Sequence, residues 1–123
     1  MARTDARVVS KPWGHEEIFA ATPRYVGKIL FIKAGEALSL QYHQVKEETL
    51  RVLDGEVEFV AGPDQDHLVA HELSAGEVFH VRPGTLHRMT ARTDCRLLEV
   101  STPELDDVVR LEDRYGRQGT SDP

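Results

Sequence analysis

Apolar and polar residues alternate along this chain in short runs, and turn residues interrupt those runs at close, even spacing. Pro23, Ala34-Gly35, Asp54-Gly55, Gly62-Pro63-Asp64, Ala75-Gly76 and Pro83-Gly84 separate the segments 25–33, 38–43, 49–53, 57–61, 68–73, 78–81, 87–91 and 97–100. These segments are rich in Val, Ile, Leu, Phe, Tyr and Thr, the residues that suit a pleated, half-buried surface. The spacing predicts many short strands with no helical pattern between them, hence an antiparallel barrel or sandwich. Asp54-Gly55, between Arg51-Val52-Leu53 and Glu56-Val57-Glu58-Phe59, reads as a two-residue hairpin turn, because both central residues tolerate positive φ.

The ends depart from this pattern. Residues 1–10 are polar without a clear period and read as a lead-in or an edge strand. Thr102-Pro103 resembles a capped helix start, and Leu105, Val108 and Val109 follow at helical spacing, so a short C-terminal helix or turn is expected there. Gly119 to Pro123 reads as a frayed end. With no repeat or linker, the 123 residues are expected to form one domain, a barrel over about 11–102 and a tail over 103–123.

Composition narrows the function classes. Lys plus Arg number 15 and Asp plus Glu 21, a formal charge of −6, which argues against nucleic acid or an anionic membrane surface as partner. No apolar run exceeds four residues, so no transmembrane helix or signal-peptide core is expected. The single cysteine, Cys95, cannot form an internal disulfide, and a reducing cytoplasm is the expected compartment. Between Asp94 and Arg96, Cys95 reads as a small packing residue near a turn.

The chemistry concentrates in Gly35-Glu36-Ala37-Leu38-Ser39-Leu40-Gln41-Tyr42-His43, followed by Glu48 and Gly55. Strand alternation places Gln41 and His43 on one face, and Glu48 opens the next strand after the turn 44–47. Gly76, Pro83-Gly84 and His87 form a second turn-and-strand unit ending in a histidine. Two imidazoles, a carboxylate and an amide oxygen make a four-ligand set (Gln41, His43, Glu48, His87) for a divalent ion with open positions.

These two stretches resemble the two motifs of the cupin superfamily, with Gln41 where the first ligand is usually histidine. That variant, with Lys11-Pro12-Trp13-Gly14, Leu38-Ser39-Leu40-Gln41, His87-Arg88, Glu99-Val100 and Asp113-Arg114-Tyr115-Gly116-Arg117, is similar to the mannose-6-phosphate isomerase (type II) group. The resemblance runs from Lys11 to Arg117 and implies a cupin jelly-roll barrel, a double-stranded β-helix with the metal inside. It departs from the isomerase domains fused to a nucleotidyltransferase at Lys46 and at Glu48-Thr49-Leu50, where those domains carry Arg and Glu-His-Trp. Neither a preceding nucleotidyltransferase nor the helical insertion of longer isomerases is expected.

The function this implies is a metal-dependent aldose–ketose isomerase or epimerase acting on a sugar or sugar phosphate, with Zn, Mn, Ni or Fe as the ion. Glu99 or Lys28 would move the proton, and Lys46, Arg88 and Trp13 are candidate substrate contacts. Arg88 has the acidic tail as its other candidate partner. Two further readings use the same atoms. His43, Glu48 and His87 are also the two-histidine, one-carboxylate set of a non-haem dioxygenase, and a barrel without a base would be a non-catalytic sugar-binding module. A homodimer formed through strand edges is expected. His15, His67, His71 and His80 lie outside the motifs and read as surface histidines.

Overall fold

The computed structural model describes residues 2–119. Eleven antiparallel strands form two sheets, and no helix occurs among the described residues. One sheet runs in the order β1 (Arg7–Lys11), β2 (Gly14–Ala21), β3 (Val26–Ile32), β10 (Cys95–Ser101), β5 (Glu48–Asp54), β8 (Val78–Val81). The other runs β11 (Val109–Glu112), β4 (Leu40–Tyr42), β9 (Leu86–Ala91), β6 (Glu56–Gly62), β7 (Val69–Ser74). All eight predicted segments are strands. The sequence pattern misses β2 because its inward position is the charged Glu16 and a bulge between Ile18 and Ala20 breaks the alternation. At the C-terminal end the turn, not the helix, is the form adopted, and the chain then enters β11 beside β4.

The Asp54-Gly55 hairpin does not form. Gly55 has the expected positive φ of 82°, but β5 pairs with β10 and β8 while β6 pairs with β9 and β7. The dipeptide is a corner at which the chain changes sheets. A Cβ at Gly55 would lie 2.3 Å from Asp94 O, so the corner is pressed against the β9–β10 turn. Asp54 accepts the Arg96 N–H, and the Glu56 N–H is donated to Thr93 Oγ1, fixing the corner to that turn instead of to a hairpin partner.

Strand register divides the space between the sheets into two ends. Leu30, Leu97 and Val52 lie side by side, and with Ile32, Val57 and Phe59 they make an apolar core at one end. Each fully buried side chain of this size contributes about 1.5–3 kcal/mol. Two residues along β3 and β10 the inward positions become Lys28 and Glu99, and on β5 Glu48 follows Val52 and Leu50, four residues from Val52. His87 lies two residues from Met89 on β9. The apolar end holds the two sheets together, and the other end carries charge.

Candidate metal centre

His43 follows β4, Glu48 begins β5, and His87 lies on β9, where it is the register partner of Gln41. The ligating atoms of His43, Glu48 and His87 lie within 4.8 Å of one another, and all three residues are buried. Each imidazole is fixed from behind. His43 Nδ1 lies 2.5 Å from the Asp107 carbonyl, and His87 Nδ1 lies 2.9 Å from the Thr85 carbonyl. A carbonyl only accepts, so both Nδ1 atoms carry hydrogen, and the Nε2 atom of each neutral ring presents a lone pair. Those atoms converge on one carboxylate oxygen, Glu48 Oε1, at 3.5 Å and 3.3 Å. Both Nε2 atoms are buried without a hydrogen-bond partner. With both rings neutral, three acceptors face one another away from water and repel unless a proton or a metal ion lies between them. The donor set, two imidazoles and a carboxylate, suits a divalent first-row ion. Gln41 lines the same cavity, and its Oε1 accepts a 2.7 Å hydrogen bond from Ser39 Oγ, which leaves one lone pair for a metal.

The sequence gives no sign of the residue that holds this arrangement. The Asp107 carboxylate accepts the backbone N–H groups of Gln44, Val45 and Lys46 at 3.0, 2.7 and 2.9 Å. One residue of the C-terminal segment therefore orients the His43 ring through its carbonyl. Through its carboxylate it shapes the turn that delivers Lys46 and Glu48. Burial alone would raise the Asp107 pKa, but the three N–H donors hold it below the ordinary carboxylate value.

Behind the metal ligands lies a chain of buried charges. Lys46 Nζ is 3.2 Å from Glu48 and 3.1 Å from Glu99; Lys28 Nζ is 3.4 Å from Glu16 and 3.9 Å from Glu99. Lys46, a candidate substrate contact from sequence, is only 5% exposed. Burial pushes the Lys46 pKa down, but Glu99 and Glu48 more than compensate, and the ammonium stays charged. Burial, reinforced by the charge of Glu48, raises the Glu99 carboxyl pKa against the pull of Lys46 and Lys28. Glu16 and Lys11 join the chain, and the sequence signal for both was weak: an acid on the inward face of a strand, and a lysine in the Lys11-Pro12-Trp13-Gly14 motif.

The cavity at the charged end measures about 50 Å³ and is lined by five cationic side chains, Lys11, Lys28, Lys46, Arg110 and Arg117, against three acids, Glu16, Glu48 and Glu99. Lys11 is pushed below its ordinary pKa by burial and by the neighbouring Lys28, Arg110 and Arg117 charges, despite Glu16. Trp13 is buried in the core with one side on this cavity. Leu105 and Val108, from the C-terminal segment, close it. Arg88 takes the other of its two expected partners. Its side chain alternates outward from β9, outside the cavity, and pairs with Glu112 at 2.5 Å. His67, His71 and His80 are exposed; His80 pairs with Glu47 and His67 with Asp64.

The family profile described as mannose-6-phosphate isomerase C-terminal matches residues 2–113. The mannose-1-phosphate guanylyltransferase ManC of Salmonella typhimurium is 34% identical over 116 residues, covering 90% of this chain and 23% of that protein. The chain therefore spans about a quarter of the length of the curated relatives it matches. Among solved structures, an RmlC-like cupin from Shewanella frigidimarina aligns with a TM-score of 0.69 at 19% identity, covering 80% of this chain and 84% of that one. The capsular polysaccharide assembling protein CapF of Staphylococcus aureus aligns with a TM-score of 0.72 at 18% identity, covering 89% and 33%. These structural likenesses establish the cupin jelly roll.

Proposed function

Starting from the chain's membership of the mannose-6-phosphate isomerase C-terminal family, we propose that it is a metal-dependent cupin that interconverts an aldose and a ketose, or epimerises, a sugar or sugar phosphate. The convergence of the unpartnered His43 and His87 Nε2 atoms on Glu48 Oε1 carries this reading, because that donor set suits a divalent ion. His43, Glu48 and His87 would hold the ion, with Gln41 as the fourth, neutral donor. When bound, a divalent ion supplies Lewis acidity that polarises a carbonyl and its neighbouring hydroxyl.

The chain's own residues supply the rest. Glu99 is buried with a raised pKa, so its Oε2 can take a proton from one substrate carbon and return it to the next. Lys28, near Glu99, is the second proton-carrying candidate. Lys46, held charged between Glu48 and Glu99, would fix both carboxylates in place. Lys11, with Lys28, Arg110 and Arg117 near it, is the cationic side of the cavity and would face an anionic substituent such as a phosphate. Leu105 and Val108 line the cavity and would lie against a bound substrate. Guanylyl transfer is named for the relatives, which are about four times longer than this chain.

One observation favours a second reading. Because Ser39 already binds Gln41 Oε1, the set His43, Glu48 and His87 is complete without Gln41, as in a non-haem oxygenase. Metal analysis of protein purified without chelator, followed by anaerobic incubation with mannose 6-phosphate and other sugars and sugar phosphates, separates these. Stoichiometric divalent metal with anaerobic aldose–ketose interconversion supports the isomerase. Iron with oxygen uptake supports the oxygenase, and binding without turnover supports a sugar-binding module. Protein that takes up no divalent metal refutes the proposal.

A further inference from the structure

Three lysines line the cavity at the charged end, and they are not held alike. Lys46 Nζ is 3.2 Å from Glu48 and 3.1 Å from Glu99. Lys28 Nζ is 3.4 Å from both carboxylate oxygens of Glu16 and 3.9 Å from Glu99. Among the described residues, the only ion-pair partner of Lys11 is Glu16, at 3.9 Å, and Lys11 Nζ makes no hydrogen bond. Its side chain is nevertheless 7% exposed. Lys11 therefore shares a counter-ion that another ammonium holds more closely.

The fold fixes Lys11 in this position. It ends β1, and the turn Pro12-Trp13 leads directly into β2, with Lys11 the register partner of Gly14. Trp13 is buried in the core, and a Cβ at Gly14 would lie 1.9 Å from Phe31 O, so the turn is clamped against β3. Apart from Glu16, the charges that act most strongly on Lys11 are the cations Lys28, Arg110 and Arg117. Arg117 is itself tied to Asp113 at 2.9 Å. An arginine keeps its charge at every pH a protein meets, whereas a desolvated lysine beside other cations gives up its proton more readily. Burial, with the charges of Lys28, Arg110 and Arg117, lowers the Lys11 pKa against the pull of Glu16.

From this contrast among the three lysines we infer that Lys11 is a nucleophilic amine that captures, as an imine, the carbonyl of a small aldehyde carrying a phosphate or carboxylate. The Nζ lone pair forms the C–N bond, and the carbonyl π pair moves to oxygen. Both amine protons then leave with that oxygen as water while the second C–N bond forms. Glu16, the nearest carboxylate, is the base that ferries them. No oxidant, reductant or metal enters the step, so it stands apart from the metal centre. Arg110 and Arg117 line the same cavity and meet the anion. Lys28 and Lys46 are each engaged by two carboxylates and leave this role to Lys11. An imine draws electrons from the neighbouring carbon and makes its C–H easier to deprotonate, so the cavity carries an amine route to carbonyl chemistry.

The chain has four lysines, and the exposed Lys33 is the internal reference. The full chain, both metal-loaded and chelator-stripped, is incubated with glyceraldehyde 3-phosphate and cyanoborohydride at neutral pH, and labelled sites are read by peptide mass mapping. Lys11 should be labelled about tenfold faster than Lys33 although it is far more buried, and its rate should level off at a lower pH. Unphosphorylated glyceraldehyde should label Lys11 about tenfold more slowly, and inorganic phosphate should protect it. Lys11→Arg should abolish the fast label while circular dichroism is unchanged. Labelling that follows exposure, with Lys33 ahead of Lys11, would overturn the inference. So would preference for Lys28 or Lys46, or equal labelling by the phosphorylated and the plain aldehyde. Selective labelling of Lys11 in protein that binds no metal would uphold it while removing the metal reading.

Discussion

Replacing Asp107 by alanine tests whether the C-terminal segment is part of the metal centre. The substitution leaves the backbone carbonyl that receives His43 Nδ1–H but removes the carboxylate that holds the Gln44, Val45 and Lys46 N–H groups. Asp107 is half-buried, so water replaces part of what is lost. At about 1 kcal/mol for each of the three bonds, the expected loss of stability is about 2–3 kcal/mol. The turn that carries Lys46 and leads to Glu48 would also lose its fixed shape, and so would the segment that presents the carbonyl to His43. Loss of such an outer partner typically lowers metal affinity about 10–100-fold.

Asp107→Asn retains one acceptor oxygen without the charge, and should fall between wild type and Asp107→Ala in both measurements. The assay is thermal unfolding with and without metal, paired with a competitive metal titration against a chromogenic chelator. A lower melting temperature with unchanged metal affinity would show that Asp107 stabilises the fold without organising the site, and would refute the reasoning.

Three other outcomes follow from the structure. Gly55→Ala forces a Cβ to within 2.3 Å of Asp94 O at a φ of 82°, and should cost more than about 1 kcal/mol, read as a fall in urea midpoint. Cys95 is buried, and burial with the nearby Asp54 and Asp94 charges pushes its thiol pKa up to about 11; alkylation at mildly alkaline pH should be slow when folded and rapid in denaturant. The Asp107 and Asp113 carboxyls are both held below their ordinary pKa despite burial, by backbone donors and by Arg117 respectively. Both therefore bind protons more readily when unfolded. Their stabilisation is complete above the ordinary aspartate pKa and is lost as pH falls through the folded values. Acid titration of the unfolding free energy should show this decline, and Asp107→Asn should reduce its slope.

Much of the fold was legible because half-buried strands advertise themselves: Leu30, Leu50 and Leu97 alternate with outward residues and so mark three strands from the sequence alone. β2 stayed hidden because Glu16 occupies an inward position that only a buried lysine makes tolerable. The Asp54-Gly55 corner misled because local turn chemistry fixes φ but not which strands pair afterwards; the contact with Asp94, 40 residues away, decided that. In the site, His43, Glu48 and His87 could be chosen from motif spacing. Asp107 could not, since its role comes from a carbonyl and three backbone N–H groups that have no counterpart in residue type. The outward direction of Arg88 was readable in principle, because it neighbours His87 on one strand and the two must face opposite ways.

The central claim is that the buried acceptors of His43, Glu48 and His87 enclose a divalent cation. Equilibrium metal titration of chelator-stripped protein, with thermal unfolding followed in parallel, tests it directly. Wild type should bind one ion per chain, and at a free-metal concentration about a hundred times the dissociation constant the ion should stabilise the fold by about 2.7 kcal/mol. His87→Ala and Glu48→Gln should abolish both the binding and the rise in melting temperature while the strand signal in circular dichroism persists. Gln41→Leu should weaken binding without abolishing it. A wild-type protein that takes up no Zn, Mn, Ni or Fe, and whose melting temperature no chelator or metal changes, would contradict the account.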